Sequence, residues 1–80
     1  MENQEIFEKI AGIIRDVLKD ESIELDQQTA LAEIENWDSL SNFMVITGTE
    51  KAFGIRFSLK ELTQLNTVET IVNSVAAKLA

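Results

Sequence analysis

Cysteine, histidine, proline and tyrosine are all missing from this 80-residue chain, which also has only one tryptophan and three glycines. Without Cys or His there can be no disulfide, zinc cluster, thiol nucleophile or imidazole general base. Long apolar runs are missing as well: none approaches the roughly 18–20 residues that span a bilayer. The N-terminus, Met1-Glu2-Asn3-Gln4-Glu5, is acidic where a signal peptide is basic. The expected compartment is therefore cytoplasmic, with no membrane insertion. Bases are scarce, seven against fourteen acids for a formal charge of −7, which argues against nucleic acid and anionic membrane surfaces as partners. Carboxylates alone can bind calcium or magnesium, but no EF-hand spacing occurs and no permanent metal site is expected.

A chain this short buries only about 60% of the surface it exposes when unfolded. It has no repeat, low-complexity tract or Pro/Gly-rich linker, so residues 1–80 read as a single domain and a monomer. A start at Met1 and an end soon after the last periodic segment favour a free-standing protein. Ile6, Phe7, Ile10, Ile13, Ile14, Val17 and Leu18 recur at helical spacing and predict an amphipathic helix over 5–19. From Asp20 to Asp38 the chain is polar and acidic, a long structured loop pinned by Ile23, Leu25, Leu31, Ile34 and Trp37; loops of this length are often functional. Asp38 is a good N-cap for a helix over 39–53, which Gly54 can stop in the left-handed conformation. Ser58 to Glu61 form a capping box opening a short helix or turn. Asn66 or Thr67 caps a last helix with the apolar stripe Val68, Ile71, Val72, Val75 and Leu79. A strand around 55–57 would find no partner. The expected fold is all-α, a small four-helix bundle of three main helices and one short one.

Charge is segregated: residues 1–38 hold eleven acids and three bases, whereas residues 39–80 hold three and four. At the junction lies Asp38-Ser39-Leu40. A serine at a helix start points its hydroxyl into solvent, beside amides that favour an attached phosphate. The plainer reading is that Asp38 and Ser39 merely cap the helix.

The context resembles the acyl carrier protein family, whose Asp-Ser-Leu serine carries 4′-phosphopantetheine. The resemblance spans nearly the whole chain: the amphipathic first helix, the acidic loop ending Trp37-Asp38-Ser39-Leu40, the helix ending Glu50-Lys51-Ala52-Phe53-Gly54-Ile55, and the helix starts Ser58-Leu59 and Thr67-Val68. It implies a carrier-type bundle with Ser39 as the attachment point. A phosphopantetheinyl transferase would load Ser39 from coenzyme A, with Mg2+ on the phosphates and Asp38 helping to hold that metal. Leu40 would insert into the transferase and other partners. The cofactor thiol would hold acyl groups as thioesters for acyl-loading and acyl-processing enzymes. The implied protein is a non-catalytic shuttle, and an absent cysteine is no obstacle because the thiol arrives with the cofactor.

Projection of residues 40–53 at about 100° per residue puts Val45, Ile46, Thr49, Ala52 and Phe53 on one face and Leu40, Phe43, Met44 and Thr47 on the other. The second set matches the side the family uses to dock enzymes. In fatty-acid carriers that helix is strongly acidic, yet here its charges are Glu50 and Lys51 alone. Phe43 and Met44 therefore either dock partners through apolar contact or, for Phe43, fold back on the loop. Gly48 and Thr49 stand where the family usually has larger apolar residues, which fits either a pocket altered for a short or polar acyl group or ordinary core variation. The pattern resembles discrete carriers of dedicated polyketide, peptide or polysaccharide-modifying pathways. General fatty acid or lipid synthesis is the alternative within the class, and an unmodified helical adaptor the alternative outside it. An autonomous serine hydrolase is excluded: Ser39 has no base and no Gly-x-Ser-x-Gly elbow.

Overall fold

A computed structural model describes residues 1–80 as four α-helices: α1 (Asn3–Leu18), α2 (Ser39–Phe53), α3 (Leu59–Leu62) and α4 (Val68–Leu79). Helix α1 begins two residues before the expected start, with the Glu5 carboxylate accepting from the Glu2 amide at 3.5 Å. It ends at Lys19, which takes a left-handed conformation (φ 55°) without being glycine. The other main boundaries fall where the capping residues predict. Asp38 caps α2 and Gly54 stops it at φ 65°, Ser58 caps α3, and Thr67 rather than Asn66 caps α4.

Helix α1 packs against both α2 and α4. Ile6, Ile10 and Ile14 of α1 meet Val45 and Ile46 of α2 and Val68, Ile71, Val72 and Val75 of α4 in one buried cluster. Each fully buried Ile or Val contributes roughly 1.5–3 kcal/mol relative to exposure. Helix α3 buries nothing of its own, and Leu59 in it is 83% exposed. Its position is held at the ends, by the Ser58–Glu61 capping box and by the ion pair of Glu61 with Lys78 of α4 at 2.9 Å.

The acidic loop is anchored by hydrophobic contacts and hydrogen bonds together. Leu31 and Ile34 enter the core, while Ile23, Leu25 and Trp37 pack against it half-buried. The Arg15 Nε donates to the Ile23 carbonyl at 2.9 Å. Two amides at the start of α4, Val68 and Glu69, donate to the loop carbonyls of Thr29 and Gln27 at 3.1 and 3.0 Å. Helix starts leave such amides without intrahelical partners, so the loop completes α4 while α4 fixes the loop. A 3-10 turn at Leu31–Glu33 sits within it.

No strand forms over residues 55–57; the Phe57 amide donates instead to the Glu50 carboxylate at 2.8 Å. One apolar expectation is corrected. Ala52 is exposed rather than inward, because a single methyl adds little hydrophobic drive and periodicity alone does not settle its side. Leu79, at the end of the α4 stripe, is 40% exposed, in the last turn, beyond the buried Val75.

Candidate functional site

Two local devices position the start of α2. Asn36 adopts a left-handed backbone (φ 69°), a conformation that asparagine tolerates better than most residues. The next amide, of Trp37, closes back on the Ile34 carbonyl at 3.1 Å. Half-buried Trp37 then anchors the chain against the core immediately before the cap. Sequence reasoning gave Asn36 no role; its place just before Trp37-Asp38 is the turn signal that could have revealed it.

Asp38 is the N-cap, its Oδ1 accepting from the Ser41 amide at 2.8 Å. That bond, more than any other, holds the Asp38 carboxyl below the ordinary aspartate range, so it is ionised at neutral pH. Ser39 is the first residue of the helix and is exposed, whereas Ser41, two residues on, is a mostly buried residue. Asp38 thus supplies the cap and Ser39 does not. Of the two first-turn serines, Ser39 is the exposed one, at a helix N-terminus that favours a bound phosphate.

Along α2 from this hydroxyl, Leu40 and Phe43 are each 65% exposed and Met44 is 45% exposed. Phe43 therefore does not fold back on the loop. Thr47, expected on the same face, is half-buried and lies at the edge of a shallow groove of about 420 Å³ with Glu50, Lys51, Gly54, Ile55 and Arg56. Inward, Thr49 is fully buried and its hydroxyl donates to the Val45 carbonyl one turn back at 2.8 Å. A second groove, of about 570 Å³, opens on the acidic loop and includes Asp20, Glu24, Asp26, Glu33 and Glu35. No three acidic side chains lie close enough together to hold a metal ion.

The family profile described as phosphopantetheine attachment site matches residues 8–75. The chain is 30% identical over 79 residues to the acyl carrier protein of Coprothermobacter proteolyticus, covering 99% of this chain and 96% of that one. It is 32% identical over 79 residues to the acyl carrier protein of Petrotoga mobilis, covering 99% and 93%. Among solved structures, the holo acyl carrier protein of Geobacter metallireducens superposes with a TM-score of 0.82 at 36% identity, over 91% of this chain and 84% of that one. The chain belongs to the phosphopantetheine-attachment family of acyl carrier proteins, non-catalytic carriers whose covalent cofactor is 4′-phosphopantetheine. Proteins of this family work with phosphopantetheinyl transferases and acyl-processing enzymes. An exposed primary alcohol outside the helix cap, at a helix N-terminus, fits a phosphodiester-linked group.

Proposed function

We propose that Ser39 bears the 4′-phosphopantetheine and that this chain, a single-domain monomer acting in the cytoplasm, is the carrier of a dedicated pathway. Polyketide, peptide and polysaccharide-modifying routes are the candidates. The observation that carries the attachment site is the exposed Ser39 hydroxyl, left out of a cap that Asp38 supplies. When bound, the group supplies a thiol for thioester linkage. Ser39 Oγ would form its bond to the pantetheine-side phosphorus of coenzyme A as the pyrophosphate P–O bond breaks and 3′,5′-ADP leaves, and the transferase must provide the base that takes the serine proton, since the chain has no histidine. Asp38, the residue before Ser39, holds a negative charge at the start of α2, where a divalent cation arriving with the phosphates of coenzyme A would meet it.

The dedicated-pathway reading is supported by α2. Leu40, Phe43 and Met44 form an exposed apolar stripe, and the helix has one acid, Glu50. Such a stripe favours partners with apolar contact sites over partners recognised by charge. General fatty acid or lipid synthesis is the second reading within the same carrier class. Intact mass after incubation with coenzyme A, Mg2+ and a broad-specificity phosphopantetheinyl transferase tests the site. One phosphopantetheine on the wild type and none on Ser39→Ala is expected. No gain, with a cognate transferase also failing, returns the chain to an unmodified adaptor. Ketosynthases of fatty acid synthesis accepting the loaded protein as well as dedicated ones would overturn the pathway reading.

A further inference from the structure

The outward stripe of α2 changes character along its length. Leu40, Phe43, Met44, Thr47 and Lys51 follow one another at helical spacing, apolar near Ser39 and cationic about 16 Å further along the axis. Arg56, just past the helix, lines the same shallow groove as Thr47 and Lys51. Two acids of this half of the chain make bonds within the protein. Glu50 accepts the Phe57 amide at 2.8 Å, and Glu61 accepts the Ser58 amide at 2.7 Å and pairs with Lys78. Lys78–Glu61 is the one ion pair in the chain, so Lys51, Arg56 and Lys60 are exposed and unpaired. Lys51 alone would be explained by the carbonyls at the end of α2; Arg56, outside the helix, would not. In a molecule of net charge −7, this groove holds two bases, Lys51 and Arg56, against one acid, Glu50, whose carboxylate is turned to the Phe57 amide, and at physiological salt charges more than about 8 Å away are largely screened from it.

We infer that the enzyme docking on α2 presents an apolar pocket toward Leu40, Phe43 and Met44 and acidic side chains toward Lys51 and Arg56. Apolar contact then supplies the affinity, and the cationic end sets the direction in which the carrier lies, turning Ser39 toward one end of the partner's surface. This deepens, and rests on, the docking role proposed for α2. The acidic loop, where residues 20–38 hold seven acids and no base, lies outside this footprint.

The test is an NMR titration of the 15N-labelled protein with two synthetic amphipathic helical peptides. They share a Leu/Phe stripe and differ in flanking residues, Glu in one and Lys in the other. The Glu-flanked peptide is expected to shift the amides of residues 40–56 and to bind there roughly threefold or more tightly than the Lys-flanked one. The Lys-flanked peptide should shift residues 20–38 instead. In the double variant Lys51→Glu/Arg56→Glu, the preference at α2 should invert. Equal or stronger binding of the Lys-flanked peptide at α2, no shift of α2 by either peptide, or an unchanged preference in the double variant would overturn the inference. Loading of Ser39, followed by mass on the same sample, reports separately on the carrier role, so the two can fail independently.

Discussion

Gly48 of α2 lies so close to Ile13 of α1 that a β-carbon at Gly48 would sit 3.2 Å from Ile13 Cγ2. The glycine belongs to the helix crossing, which favours core variation over an altered acyl pocket. Alanine here gains about 1 kcal/mol in helix propensity, and half-buried Ile13 can move by a few tenths of an ångström. Gly48→Ala is therefore expected to stabilise the protein by somewhat less than about 1 kcal/mol, whereas Gly48→Leu should overpack the crossing and cost about 1–3 kcal/mol. Urea denaturation of the two variants checks both signs.

Thr49 is the fully buried polar residue of α2. Its hydroxyl and the Val45 carbonyl satisfy each other at 2.8 Å, and that carbonyl keeps its backbone helix bond if the hydroxyl is removed. Thr49→Val should therefore stay within about 1 kcal/mol of wild type, since donor and desolvation penalty leave together. Thr49→Ala removes a buried methyl as well and should cost about 1–2 kcal/mol. A large loss in the valine variant, read by thermal or urea unfolding, would assign the hydroxyl a structural role that the geometry does not.

Ser39 and Asp38 should separate cleanly. Ser39→Ala is expected to leave the unfolding midpoint unchanged, because the side chain is exposed and outside the cap, and to abolish phosphopantetheine loading. Asp38→Ala should lower the midpoint through loss of the Ser41 hydrogen bond and also slow loading. Circular dichroism melts and intact mass on the same samples distinguish the two.

These boundaries were legible because caps are local chemistry. Asp38, Gly54, Ser58 and Thr67 each act through groups within a few residues, and the isoleucine spacing of α1 names its buried face directly. The missing parts depend on contacts distant in sequence. Nothing in Thr29 or Gln27 announces that their carbonyls complete the start of α4, and Gly48 looks like a helix weakness until Ile13 is beside it. The candidate serine was readable from its motif and cap. Its contrast with buried Ser41, two residues on, was not, because burial depends on how α2 sits against the core.

Phe43 offers the sharpest test of the docking face. At 65% exposure it contributes little to the core, so Phe43→Glu should leave the melting curve near wild type. Affinity for the native partner should fall on the order of tenfold or more, as for an aromatic anchor removed from an interface. Calorimetric titration with the purified partner measures it, and equal affinity of both proteins would remove α2 from the interface.

The chain has no histidine, and the shifts that stand out are all on carboxyls. Asp38, Asp20 and Glu61 are held below their ordinary values, chiefly by the Ser41 amide, the Ser22 hydroxyl and the Ser58 amide respectively. A depressed carboxyl binds its proton less readily when folded, so its stabilising contribution is fully present above the unfolded pKa, near 4. It is lost as pH falls through the depressed folded value. Global charge acts in the opposite sense, since protonation relieves the self-repulsion of a −7 chain, and wild-type stability alone would mix the two. The informative quantity is the gap between wild type and Asp38→Asn, because asparagine still caps but carries no charge. That gap in urea midpoint should be constant from pH 7 to about pH 5 and should shrink toward zero below about pH 4. A gap that persists unchanged into strong acid would mean that the Asp38 charge contributes nothing to capping α2.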